Sequence, residues 1–217
     1  MLPVGTEHRP MRIQIREDGP YVVRGGVPIR DADGTLIQTG RTAILCRCGA
    51  SSTKPFCDDT HERSDFDGCE TADKGPIESR RHIYPGEHVT ILDARRICAH
   101  AAVCTDELPK VFDVSKSRWI DPDLGPAEEI ADVVSRCPSG ALAFALPGDP
   151  EPVEPHLEPE IRCAKDASYE VRGAIELVGA DGESYERRER VTLCRCGASR
   201  NKPFCDGRHA DVGFTAD

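Results

Sequence analysis

The chain has 217 residues, 38% of them apolar and only 5% aromatic, and a net charge of −10. So little apolar material excludes one large core and favours several small units held by something besides burial. The acidic balance works against nucleic-acid binding, which rests on Lys and Arg at phosphates. Eleven cysteines, an odd number, fit poorly with a full set of intrachain disulfides and better with metal ligation in a reducing compartment.

The opening "MLPVGTEHRPMRIQIR" lacks the apolar centre of a secretory leader, and no run approaches the roughly 20 apolar residues that span a bilayer. A cytoplasmic protein without membrane contact is expected. From Tyr21, "YVVRGGVPI" reads as an extended segment that reaches a turn at "ADG", and a second extended segment then runs into Cys46. Cys46 and Cys48 are two apart at the end of that strand, so both thiols point to one side. Cys57 and His61 are four apart, the spacing of neighbours on a helical turn. Asp58 stands where a helix cap is expected. The loop "GASSTKP" between the pairs is short and polar enough to fold over a small anionic object beside a helix N-terminus.

Residues 80–147 read as a different unit. It holds "RRICAHAAVC" and "EEIADVVSRCPSGAL". In the latter, Ile130, Val133, Val134 and Cys137 fall at i, i+3, i+4 and i+7, which predicts an amphipathic helix with Pro126 in its first turn and an end before Pro138. Residues 147–160 contain five prolines and five acids and predict an extended, semi-rigid linker. At Tyr169 the first pattern begins again. A shift of 148 residues places Tyr21 on Tyr169, Arg24 on Arg172 and Phe66 on Phe214, with 21 identities in 46 aligned positions. This marks a duplicated module, and Cys194, Cys196, Cys205 and His209 repeat the first set. The expected units are 1–75, 80–147, a linker at 148–160, and 161–217.

Three thiols with one imidazole suit a structural zinc ion. Zinc pairs are usually spaced C-x₂₋₄-C, and redox dithiols C-x-x-C; spacing alone leaves zinc and an iron–sulfur cluster both open. The pattern C-x-C-x₂-[ST]-x₃-P-x-C-D-x-x-H, however, resembles the CDGSH iron–sulfur domain. The resemblance implies a [2Fe–2S] cluster on Cys46, Cys48, Cys57 and His61, and another on Cys194, Cys196, Cys205 and His209. Ser51, Pro55 and Asp58 match the other fixed positions, as do Ser199, Pro203 and Asp206. Two positions depart. The family's glycine after the aspartate is Asp59 in the first copy but Gly207 in the second, and the residue before the histidine is Thr60 in the first copy and Arg208 in the second. The two sites therefore need not be equivalent.

The middle unit resembles a divergent single-cluster ferredoxin domain. The ferredoxin run is C-x₂-C-x₂-C with a distant C-P. Here Cys98 and Cys104 keep the outer positions, Ala101 replaces the middle cysteine, and Cys137–Pro138 supplies the distant element. Cys98, Cys104 and Cys137 can hold [3Fe–4S]; for [4Fe–4S] the local candidate as fourth ligand is His100. Cys69 and Cys163 are read as non-ligands, the latter in a strand core. His8, His82, His88 and His156 lack a partner pattern, Trp119 is assigned to the core, and Lys54 and Lys202 flank the cluster loops.

The expected fold class is α+β: two small β-rich modules packed as an internal pseudo-dimer, plus a ferredoxin-like α+β domain. Pairing is implied because family members with one module commonly form two-fold dimers, and here it can occur within a monomer. No nucleotide-binding glycine motif, catalytic triad order or hydrolytic metal motif is present, so a non-enzymatic electron-transfer protein acting on an unidentified redox partner is expected. A pH-labile cluster carrier or sensor that serves an acceptor protein is one alternative, and a zinc-stapled interaction protein is another. Imidazole binds protons near neutral pH, so acid competes with iron for it. Visible cluster absorbance should therefore decay at about pH 6 and persist longer in the double variant His61→Cys, His209→Cys; equal decay of the two proteins contradicts this.

Overall fold

The computed structural model describes residues 10–38, 40–149 and 151–216; His8 and the rest of the first nine residues lie outside them. The described chain is mostly small sheets with few helices. The first copy supplies β1 (Arg12–Ile15), β2 (Tyr21–Arg24), β3 (Ile29–Arg30), β4 (Leu36–Gln38) and β5 (Thr42–Leu45). The middle unit supplies β6 (His82–Tyr84), β7 (Thr90–Asp93), α1 (Val103–Glu107), α2 (Ala127–Ser135) and β8 (Leu142–Ala145). The second copy supplies β9 (Glu160–Cys163), β10 (Tyr169–Arg172), β11 (Glu176–Val178), β12 (Arg190–Leu193) and α3 (Arg208–Asp211).

The extended segment after Tyr21 is two strands, and the second leaves its own sheet. Gly25 and Gly26 have φ of 92° and 76°, and the equivalent Gly173 and Ala174 have 78° and 49°. These left-handed residues end β2 and β10 and turn the chain toward the other copy. β3 pairs in parallel with β9 of the other copy, and β11 pairs in parallel with β1. The sheet orders are β11-β1-β2-β5 and β12-β10-β9-β3-β4. Ile29 lies opposite Ile161, and Leu177 opposite Ile13, which is the same pairing moved by 148 residues. Each copy thereby covers the open edge of the other's first strand, which would otherwise present unpaired backbone groups. Ile13, Ile15, Tyr21 and Ile29 join Ile161, Tyr169 and Leu177 in one buried cluster.

Two tyrosines tie the exchange to the cysteine loops. The Tyr21 hydroxyl donates to the carbonyls of Cys194 (3.0 Å) and Pro203 (3.2 Å), and the Tyr169 hydroxyl to those of Cys46 (2.9 Å) and Pro55 (3.0 Å). The rings meet edge to face with centroids 6.1 Å apart. Both are fully buried, and burial pushes both phenols well above their ordinary range, so they stay protonated donors.

In the middle unit, β6-β7-β8 form an antiparallel sheet. α2 buries Ile130, Val133 and Val134, and Pro126 caps it in an extended conformation just ahead of the first turn. The helix ends at Ser135, so Cys137 comes after it instead of completing its apolar stripe. Arg190, buried on β12, receives that end: its Nη1 donates to the carbonyls of Val134 (2.6 Å), Ser135 (3.1 Å) and Cys137 (3.1 Å). A cation there satisfies orphan carbonyls and opposes the helix dipole. The proline-rich segment is extended and docked. Val153 bridges Phe144, Glu154 pairs with Arg190 at 2.7 Å and Arg81 at 3.6 Å, and the Leu157 amide donates to Glu189.

Tyr21→Phe and Tyr169→Phe each strip a donor from two buried carbonyls. Each should lower unfolding free energy by about 1–3 kcal/mol in denaturant titration of the holo chain; an unchanged midpoint for either argues against the clamp.

Candidate metal centres

Each cysteine–histidine loop is a short excursion closed by its own backbone. The Cys46 amide donates to the Pro55 carbonyl (2.8 Å) and the Cys57 amide to that of Ile44 (2.9 Å), which carries β5 past its end and holds the two ligand pairs opposite each other. Ser51 donates to the Phe56 carbonyl at 2.7 Å. Asp58 accepts the amides of Ser52 (2.8 Å) and Thr60 (3.2 Å) and so joins the loop to the turn that carries His61. Its carboxyl is held far below the ordinary range by these bonds. The second loop repeats the scheme through Cys194, Cys205, Ser199 and Asp206.

Asp58 does not cap a helix directly, as the spacing suggests. Asp59, left-handed with φ of 61°, stands between it and a short 3₁₀ turn at Thr60–Arg63. Cys57 precedes that turn, so the four-residue spacing works through a backbone reversal and not along one helix. In the second copy the reversal is at Gly207 (φ 85°), and α3 begins directly after it.

Two residues inside the motif gain a role only from the fold. Arg47 and Arg195, the middle residues of the two C-R-C triplets, are buried. Arg47 donates to the carbonyls of Arg16 (3.0 Å), Gly19 (3.3 Å) and Gly68, and stacks near Tyr21 and Phe66. Arg195 donates to the Ala164 carbonyl and stacks near Tyr169 and Phe214. Burying the middle residue turns both flanking thiols to the opposite side. The identity of C-R-C in both copies is the one sign of this in the sequence. Lys54 and Lys202 act on the loop backbone: their ammoniums donate to the carbonyls of Ser51 and Ser199.

The donor spacing tests what each loop can hold. A tetrahedral metal with typical bonds to sulfur and nitrogen separates two thiolates by about 3.8 Å, and a thiolate from an imidazole by about 3.6 Å. The Sγ–Sγ distance is 3.7 Å for Cys46–Cys48 and 3.9 Å for Cys194–Cys196. The Sγ–Nδ1 distance is 3.5 Å for Cys57–His61 and 3.3 Å for Cys205–His209. Each pair thus spans one edge of a coordination tetrahedron. All four do not converge on one centre. Among the described residues, the only three His, Cys, Asp or Glu donors within 4.8 Å of one another are Cys57, Asp59 and His61.

Four of the six loop thiols are held against ionisation. Burial raises Cys48 to about 11 and Cys205 to about 12, and raises Cys57, with the Asp59 carboxylate adding to it. The Cys194–Cys196 hydrogen bond, together with burial, holds Cys194 up, while the same bond draws Cys196 down to about 7. Crowded sulfurs that resist ionisation fit a site whose cationic partner supplies the missing charge. His209 is held below its ordinary range by burial, opposed by Asp206 and Asp211, with His100 nearby adding to the lowering.

The two loops touch. A Cβ on Gly49 would lie 2.5 Å from the Cys196 carbonyl oxygen, and one on Gly197 2.5 Å from that of Cys48. With φ of 79° and 78°, both positions also need glycine for the backbone.

In the middle unit, Cys98, Cys104 and Cys137 line one cavity of about 210 Å³, together with Arg95, His100, Trp119 and Leu142. Burial raises Cys98, and raises Cys104 to about 11. Cys98 accepts the His100 amide at 3.4 Å, and Arg95 lies 3.7 Å from the same sulfur while stacking 3.8 Å over Trp119. Trp119 therefore packs against Phe112 and also walls the cavity. Three thiols spread around a cavity, instead of meeting at one point, fit a polynuclear cluster. Cys163 is buried in β9 and Cys69 is exposed. His82 is exposed, His88 sits beside Glu87, and His156 beside Glu189.

The sequence pattern of a family described as iron-binding zinc finger CDGSH type matches residues 18–62 and 166–210, and that of a divergent 4Fe-4S mono-cluster matches residues 84–147. The chain is similar to the uncharacterized protein YjdI of Escherichia coli strains K12 and O157:H7, with 29% identity over 72 residues, 33% of this chain and 95% of YjdI. No solved structure matches it.

Gly49→Ala and Gly197→Ala each push one loop against the backbone of the other. Either change alone should release iron from both loops, read as a fall in iron per chain to well below that of the parent. Loss confined to the altered copy contradicts the contact.

Proposed function

The chain carries two iron-binding CDGSH domains with a divergent 4Fe-4S mono-cluster domain between them, and on that premise we propose that it is a non-enzymatic one-electron redox protein. The reading assigns a [2Fe–2S] cluster to each 3Cys:1His loop and a third cluster, [3Fe–4S] or [4Fe–4S], to the ferredoxin-like middle domain. The observation that carries it is the pairing of donors: two ligand edges per loop, each the size of one metal, that fail to close on a single ion. A mononuclear zinc site needs all four donors at mutual distances of about 3.3–3.9 Å, which disfavours the zinc-stapled alternative.

When bound, such clusters accept and return single electrons at potentials set by ligand type and burial. The chain's own residues set that environment. Tyr21 and Tyr169 fix the first-cysteine carbonyls, Arg47 and Arg195 aim the thiols, and Asp58 and Asp206 hold the histidine-bearing turns. The exchanged strands support reading the two modules as an internal pseudo-dimer and the functional unit as a monomer in the cytoplasm, serving a protein redox partner. A second reading, as a cluster carrier, draws on the first loop alone. Cys57 is only partly buried there, whereas Cys205 is buried, and His61 and His209 are both partly buried, so the first loop differs in offering its third cysteine to an acceptor.

Iron and acid-labile sulfide analysis of anaerobic protein tests the assignment. The expected content is roughly seven or eight irons per chain, with electron paramagnetic resonance signals of reduced [2Fe–2S] after dithionite. Reversible reduction without loss of iron supports electron transfer. Transfer to an apo-ferredoxin, blocked by His61→Cys, supports the carrier. Four irons and no further signal would remove the middle cluster, and zinc in place of iron would overturn the whole reading.

A further inference from the structure

The two copies differ where one of them meets the middle unit. The Cys98–Cys104 loop contains two left-handed non-glycine residues, His100 (φ 55°) and Ala102 (φ 62°), a conformation that a residue with a side chain adopts only at a cost. This turn lets His100 line the cysteine cavity while its ring lies on Gly207. A Cβ on Gly207 would sit 3.0 Å from His100 Cβ and Cδ2 and 3.2 Å from Cγ, so only glycine lets the ring lie this close. Gly207 stands two residues from Cys205 and two from His209. Its counterpart in the first copy is Asp59, whose carboxylate lies 3.8 Å from Cys57 Sγ.

A second position diverges for the same reason. Asn201 Nδ2 donates to the Arg96 carbonyl at 2.7 Å, two residues before Cys98. The equivalent Thr53 instead bonds within its own loop, to Ser51 and Phe56. Arg188 and Arg190 add bonds from the second copy to the Ser139, Cys137 and Leu142 carbonyls, around the third cysteine. The middle cavity is thus seated on the second module, its Cys98 segment against the cysteine–histidine loop and its Cys137 segment against Arg188 and Arg190.

Resting on the cluster assignment above, we propose that His100 and Gly207 form the crossing point between the middle site and the second module, so that an electron entering at the middle site passes to the second 3Cys:1His site before the first. The direction is set by the ligands. Histidine in place of thiolate raises the potential above that of all-cysteine sites, so the electron moves from the thiolate-held middle site to the histidine-held one. One electron leaves and one arrives; no bond forms or breaks. A low-potential one-electron reductant outside the chain supplies it. His100 acts as a positioning residue: electron tunnelling weakens steeply across gaps without atoms, and the ring fills the gap between the two ligand loops.

The test uses the full holo chain in two backgrounds, His61→Cys and His209→Cys, each of which shifts one site's resonance so that the two [2Fe–2S] signals are distinguishable, and which bias the two potentials in opposite senses. Samples are freeze-quenched after mixing with substoichiometric dithionite. The second-site signal should appear first. After full reduction it should relax faster than the first, because it lies against both the first loop and the middle unit, whereas, among the described residues, the first loop touches only the second. Asn201→Thr, which copies the first module and removes the bond to the Arg96 carbonyl without touching a candidate ligand, should delay the second-site signal severalfold while leaving iron content unchanged, which a general loss of structure would not do. Gly207→Asp, which copies the first module, should also delay it. Signals that grow together and relax alike, or Asn201→Thr and Gly207→Asp chains with unaltered order and rate, would overturn the proposal. A chain without any iron resonance would instead overturn the cluster assignment on which it rests.

Discussion

Each copy's tyrosine hydroxyl is spent on the other copy's cysteine loop. Tyr21 holds the Cys194 and Pro203 carbonyls, and Tyr169 holds those of Cys46 and Pro55. The Pro55 and Pro203 carbonyls also accept their own loop amides, but the Cys46 and Cys194 carbonyls rely on the other copy's tyrosine, and a buried carbonyl that loses its donor costs a large part of its hydration. The strand exchange has the same logic at larger scale. β3 and β11 are too short to make a sheet alone, and each gains its place only as an edge on the partner copy. A module of this size buries too little to stand alone; two that share edges, tyrosines and the Cys48–Gly197 and Cys196–Gly49 contacts form one core.

That shared core sets the electrostatics of the sites. The loops place thiols where burial resists ionisation, and the nearby lysines bind loop carbonyls. The negative charge of a thiolate set is therefore left to the metal to balance. Equivalent ligands do not give equivalent surroundings. The first site has a carboxylate, Asp59, beside Cys57 and stays partly open. The second has glycine at that place, a buried third cysteine, and the middle unit packed against its turn. A duplicated module has become two different environments by changes outside the three cysteines and the histidine of each loop.

The two cysteine–histidine motifs, the duplication, the α2 stripe up to Val134 and the separate family of the middle unit are legible in the sequence, because they rest on local spacing. What is not legible is where the strands go. "YVVRGGVPI" reads as one extended run, but nothing in residues 21–29 alone says that the left-handed pair at Gly25 and Gly26 sends its second half into another sheet. The same holds for Tyr21 and Arg47. Their recurrence as Tyr169 and Arg195 marks them as constrained, but their partners lie more than a hundred residues away or in unremarked loops. Likewise the Asp59 and Gly207 difference is visible in the alignment, while its physical setting, a histidine ring on one copy only, needs the packing. Asp58 illustrates a local miss: the spacing suggests a helix cap, and the left-handed residue after it turns the aspartate into a strut between loop and turn.

If the two copies are one folding unit, backbone opening should not distinguish them. Native-state hydrogen exchange of the holo chain over a denaturant series resolves cooperative units by their separate opening free energies. The account predicts that the amides of β2 and β5 and those of β10 and β12 merge into one isotherm with one slope. Two isotherms, with one copy opening while the other stays protected, would contradict it.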